Sequence, residues 1–103
     1  MQTQNVREEN QIVQIRVSQL RTFKKHPFKV RDDEKMQELV DSIRERGIVT
    51  PVVVRPTEDG GYELISGHRR THAAGILGLE TVPAIIREMT DDEAVEAMVI
   101  IIK

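Results

Sequence analysis

Residues 65–75 read Ile-Ser-Gly-His-Arg-Arg-Thr-His-Ala-Ala-Gly and follow directly on the strand-like run Tyr62-Glu63-Leu64-Ile65. Gly67 therefore stands where a strand gives way to a helix. The first N–H groups of a helix lack intrahelical partners and carry the positive end of its dipole. A glycine at that point lets a ligand come close to the backbone, which is the logic of phosphate cradles. Arg69 and Arg70 add forked donors suited to phosphate oxygens. Ala73, Ala74 and Gly75 are small, so the helix can lie close to the sheet behind the turn. Gly67, His68, Arg69 and Arg70 thus make a candidate anion site, best matched to a nucleotide phosphate. A solvated surface turn uses the same residues, and Gly-x-Arg-Arg spacing alone does not separate the two. His68 and His72 lie four apart, but no Glu sits between them as in His-Glu-x-x-His and no third ligand is indicated. No metal site is assigned.

Three other segments carry chemistry-bearing side chains. Arg21, Lys24, Lys25, His26, Lys29 and Arg31 form the most basic stretch, read as a loop because Pro27 interrupts it. Such a loop either follows nucleic-acid phosphates or is simply solvated. Asp91-Asp92-Glu93 is an acidic cluster of the type that holds catalytic metals in nucleases. Thr90 and Glu93, however, have capping-box spacing, which explains the acids more simply. The apolar end, Met98 to Ile102, would suit a partner surface.

The totals narrow the classes. A chain of 103 residues supports one domain with a modest core. Net charge is −2, so affinity for a polyanion has to come from a local patch. Cysteine is absent, which excludes disulfides, thiolate metal sites and thiol catalysis. One Tyr, two Phe and no Trp leave no aromatic platform for stacking bases. No apolar run approaches the roughly 18 residues that span a bilayer. The polar N-terminus lacks the apolar core of a signal peptide. No membrane association is expected, and the expected location is the cytoplasm.

The elements that must hold the box are legible. Ile12, Ile15 and Val17 suggest a first strand. Met36, Leu39, Val40 and Ile43 lie at i, i+3, i+4 and i+7, predicting a helix over about 33–46. Asp32 or Asp33 would cap its start, and Gly47 would stop it. Val52 to Arg55, a turn at Asp59-Gly60-Gly61, and Tyr62 to Ser66 read as a hairpin. A helix follows the box to about Leu77. Val82 to Arg87 reads as a strand, with Pro83 suggesting an edge or an irregular start. A last helix opens near residue 91. The sum is an α+β domain with a small mixed β-sheet flanked by helices, over 12–103, after a flexible tail at 1–11.

Three segments in succession, "IRERGIVTPVVVR", "GGYELISGHRRTHAAGILGLETVPAIIRE" and "MTDDEAVEAMVI", resemble the ParB-like N-terminal domain of chromosome and plasmid partition proteins, the ParB/sulfiredoxin fold. The resemblance covers about residues 12–100. It implies a module that binds CTP with magnesium and closes with a second copy of itself around DNA. It also implies CTPase activity, without assigning catalytic residues here, and a partition ATPase as a further partner. Gly67, His68, Arg69 and Arg70 map onto the family's triphosphate box. Thr50, Pro51 and Val52, with Arg55 just beyond, map onto its base and ribose side. Arg21, Lys24, Lys25, Lys29 and Arg31 become candidate contacts to the DNA backbone. The helix-turn-helix domain that reads the partition site in full-length members is expected to lie outside this chain, and the location becomes cytoplasmic, on nucleoid or plasmid. The chain departs from the pattern at two places. His68 stands where the box usually has Glu, and Ile100 and Ile101 replace the Glu and Asn of a second box. Sulfiredoxins share the fold but work through a cysteine, which this chain lacks. Other ParB-like proteins are described as nucleases, and a protein-interaction module on the same fold is the third alternative.

Overall fold

The computed structural model describes residues 11–22 and 30–102, with side chains to Met98. The chain runs β1 (Ile12–Arg16), a short 3₁₀ turn, β2 (Leu20–Thr22), α1 (Glu34–Arg46), β3 (Val52–Pro56), β4 (Tyr62–Ser66), α2 (His68–Leu77), β5 (Thr81–Ile86) and α3 (Asp91–Ile102). The five strands form one mixed sheet in the order β1-β5-β3-β4-β2. β1 is antiparallel to β5 and β3 to β4, whereas β3–β5 and β2–β4 are parallel. The architecture is the expected α+β one, with two corrections.

Leu20–Thr22 is a strand, so the basic stretch read as a loop from Arg21 onward begins inside the sheet. At three residues it is too short to show a period of two, and its pairing with Tyr62–Leu64 is a tertiary event. The second correction concerns β5, which lies inside the sheet despite Pro83. The ladder to β3 begins at Ala84, one residue beyond the proline, so the missing N–H costs no bond on that side.

Strand alternation divides the core between the two faces. Ile15, Val52, Val54, Leu64, Val82, Ala84 and Ile86 pack with Ala74 of α2. Ile65 on the other face packs with Ala94 and Met98 of α3, flanked by Val53. The run Val52-Val53-Val54 is therefore apolar throughout because both its faces are covered. Met36, Val40 and Ile43 of α1 meet Ala73. The paired alanines thus serve two contacts, Ala74 toward the sheet and Ala73 toward α1. Both are fully buried, so a larger side chain at either would push α2 off its support. Met98 belongs to this core, which removes it from the apolar end considered as a partner surface.

Asp33, not Asp32, caps α1, its carboxylate accepting from the Met36 N–H at 3.0 Å. At α3 the capping box is reciprocal: the Thr90 N–H donates to Glu93 Oε1 at 2.9 Å, and the Glu93 N–H to Thr90 Oγ1 at 3.1 Å. No helix among the described residues is long and apolar enough to cross a membrane.

Candidate functional site

Gly67 is the only residue between β4 and α2, with φ 99° and ψ 29°, a left-handed conformation that non-glycine residues rarely adopt. It is also hemmed in. A Cβ here would stand 2.5 Å from Val52 Cγ1 and 3.1 Å from Arg70 Nη2. The β3–β4 ladder slips between Val53 and Val54, so that Ser66 faces Val53 while Leu64 faces Val54. Such bulges re-aim a strand end, and this one lies immediately before Gly67. Nothing in the residue types announced it.

The N-terminus of α2 and the start of β3 therefore meet. Arg70 Nη2 lies 3.4 Å from the Pro51 carbonyl oxygen, bridging the box to Thr50, Pro51 and Val52. Thr50 is exposed and Pro51 half-buried, whereas Val52 is buried beneath them. Arg70 Nε is buried and has no hydrogen-bond partner among the described residues. Burial pulls its guanidinium pKa below the ordinary value. The residue is half-buried, and its Nε is a donor shielded from water that an incoming oxyanion could satisfy. Arg69 is exposed on the neighbouring position, and its charge helps hold Asp33 below the usual carboxylate range, after the dominant effect of the Met36 N–H.

The two histidines part company. His72 Nε2 lies 2.7 Å from Asp32 Oδ1, joining α2 to the segment just before α1. His68, only 9% exposed, is part of the packed interior, and burial lowers its pKa below the ordinary 6.5. It is neutral at neutral pH and adds no charge to the box. The linkage has a definite sign. As pH falls through about 6.5 the unfolded chain takes up a proton that the folded chain resists, so stability is lost below that pH. Thermal melts between pH 7.5 and 5.5 should show this loss, and His68→Gln should flatten the slope. A slope that persists unchanged would assign the effect to another group.

Arg55 does not join the box. It pairs in register with Glu63, on the sheet face that carries Ile65 and α3, opposite the face covered by α2. Its Nε donates to Glu63 Oε1 at 2.8 Å, Nη1 to the Met89 carbonyl at 3.1 Å and Nη2 to Asp91 Oδ1 at 2.7 Å. These bonds fasten the start of α3 to β3 and β4. The family resemblance set Arg55 on the base and ribose side, just beyond Thr50, Pro51 and Val52; alternation along β3 turns the side chain the other way. Arg55→Ala leaves Glu63, at 16% exposure, without its partner, and the expected loss is on the order of 3 kcal/mol. Asp91 is 56% exposed, so Asp91→Ala should cost under about 1 kcal/mol. Chemical denaturation of the two variants tests this difference.

Of the basic segment, Arg21 is paired with Asp59 across the β3–β4 turn, and Arg31 is exposed near Asp33. Lys24, Lys25 and Lys29 lie outside the described residues. The acidic cluster is committed to structure, with Glu93 closing the capping box and Asp91 held by Arg55. Among the described residues no group of three His, Asp or Glu side chains is placed to hold a metal ion.

A five-stranded mixed sheet whose hairpin leads through a left-handed glycine into an Arg-bearing helix defines a class of small α+β domains, and the comparisons with known proteins specify it. The model of the ParB N-terminal domain matches residues 1–101, and the chain belongs to that family. The chromosome-partitioning protein Spo0J of Thermus thermophilus is 44% identical over 85 residues, covering 82% of this chain and 31% of the relative. The chain thus spans about a third of the length of that protein. The C-terminally truncated chromosome-partitioning protein ParB of Caulobacter crescentus complexed with CTP-γ-S superposes with a TM-score of 0.78 at 33% identity, covering 88% of this chain and 52% of that one. The same protein complexed to the centromeric parS site gives 0.73 at 30% identity, covering 85% and 45%.

Proposed function

We propose that this chain is the nucleotide-binding module of a ParB-like partition protein, taking CTP at the junction of β4 and α2. The observation that carries the proposal is Arg70, a guanidinium with one buried, unpartnered N–H, poised between the first turn of α2 and the Pro51 carbonyl. In this reading the unbonded N–H groups of the first turn of α2 face the phosphates. Arg70 supplies the inner charge and Arg69 the outer one. The exposed Thr50 and the Pro51 carbonyl line the ribose and base side. The CTP-γ-S complex of the Caulobacter relative supports CTP as the nucleotide.

Bound nucleotide would reinforce the junction of α2 with the start of β3, which Ala74 already packs against and one long hydrogen bond bridges. Tightening that link is the means by which CTP would favour a closed, dimeric state around DNA. The parS-bound relative supports DNA as the partner, with Arg31 and the basic segment before it as backbone contacts. Calorimetric titration with the four ribonucleoside triphosphates tests the assignment. CTP should bind at least about tenfold more tightly than ATP, GTP or UTP, since a site that hydrogen-bonds one base edge leaves polar groups unpaired with another. Equal affinities would reduce the site to a generic phosphate cradle.

A further inference from the structure

Magnesium accompanies the nucleotide in the pattern that this sequence resembles, and the donor set here does not suit it. Mg²⁺ demands near-octahedral oxygen coordination and is ordinarily held by one or two carboxylates together with substrate phosphates. The position of the box that would carry a carboxylate holds His68, an imidazole packed into the interior at 9% exposure. The other two positions that would contribute oxygens are Ile100 and Ile101.

Four of the carboxylates on the elements around α2 already have other work. Asp32 faces His72, and Asp33 caps α1 in the field of Arg69 and Arg31. Glu63 and Asp91 are bound to Arg55 on the opposite face of the sheet. What the site does offer is cationic: Arg69, Arg70 and the dipole of a ten-residue helix.

We infer that the site binds the triphosphate without recruiting a divalent cation, guanidinium groups and backbone N–H groups supplying the charge compensation that a metal supplies elsewhere. The inference rests on the nucleotide reading above and concerns only how the charge of the phosphates is met. Its consequence is that CTP affinity is set by Arg69 and Arg70 and does not rise when magnesium is added at matched ionic strength. A Glu in place of His68, too costly to keep charged in the interior, would turn its carboxylate outward to the phosphates. Such a change weakens metal-free binding by repulsion and creates a ligand through which magnesium restores it.

The test is calorimetric titration of the whole chain with CTP, once with excess magnesium and once with EDTA, ionic strength held equal. Affinity with magnesium no more than about threefold above that in EDTA is expected, and a loss through pairing of Mg²⁺ with free CTP agrees with the inference. His68→Glu should bind more weakly in EDTA and recover at least about tenfold when magnesium is added. His68→Gln, which keeps the position neutral, should stay indifferent to the metal, and circular dichroism establishes that each variant is folded. Binding of the unaltered chain that is about tenfold or more tighter with magnesium overturns the inference while leaving the nucleotide site standing. Absence of CTP binding in both buffers overturns the nucleotide reading itself, and this inference with it.

Discussion

Arg70→Ala is expected to weaken CTP binding about 10- to 100-fold, the consequence of losing hydrogen bonds to a charged group worth about 1.5–3 kcal/mol. The magnitude follows from the state of the side chain before the ligand arrives. Its Nε is already stripped of water and unpartnered, and its single described bond, to the Pro51 carbonyl, is long at 3.4 Å. The cost of desolvating Nε is already met, so its new interaction with a phosphate oxygen appears more fully as affinity. Arg70→Lys keeps the charge but loses the fork, and an intermediate loss is expected. Arg69→Ala should cost less, because Arg69 is exposed and its charge is screened by solvent. Calorimetric titration of the three variants measures the series. Thermal melts should show Arg70→Ala folded, since the bond it loses is weak. Unchanged affinity in Arg70→Ala would remove the triphosphate from this turn.

The largest effect on stability is expected at Gly67. Gly67→Ala asks an L-residue to hold φ 99° and drives its Cβ to 2.5 Å from Val52 Cγ1 and 2.9 Å from Val52 Cβ. The left-handed backbone costs about 1–2 kcal/mol, and forcing an extra methyl into a packed site costs about 1–3 kcal/mol more. Val52 cannot yield cheaply, being wholly buried in the sheet core with Val54, Leu64 and Val82. The sum, about 2–5 kcal/mol, is a large part of what a domain this size possesses. It should lower the melting temperature by about 10 °C or more. Gly75→Ala is the matched control: a Cβ there meets nothing within 4 Å, and stability should rise slightly. A Gly67→Ala protein that melts with the unaltered chain would mean that the turn is looser than its geometry.

The contrast between Gly67 and Arg55 shows what could be read from residue order and what could not. The box was legible because a strand, a glycine and a helix succeed one another locally, and local succession leaves a trace in residue types. Helix α1 was legible for the same reason, from its apolar period and its flanking Asp33 and Gly47. Arg55 was misplaced because its address depends on which face of β3 it occupies relative to a helix that begins 36 residues later. Adjacency to Pro51 and Val52 along the chain carries no such information. The β2 strand and the interior position of β5 were hidden for a related reason, since each depends on pairing between distant segments. The bridge from Arg70 to Pro51 is likewise a product of packing, and only the fold makes the two halves of the candidate site neighbours.

Backbone amide shifts recorded by two-dimensional NMR as CTP is added to the ¹⁵N-labelled chain address the central claim most directly, because they locate the ligand without presuming its effect. The largest changes should fall on residues 67–71 and on Thr50, Val52 and Val53, where the first turn of α2 meets β3. Changes concentrated instead along the open cleft lined by Thr57, Asp59, Met89 and Asp91, with the α2 turn unmoved, would contradict the account.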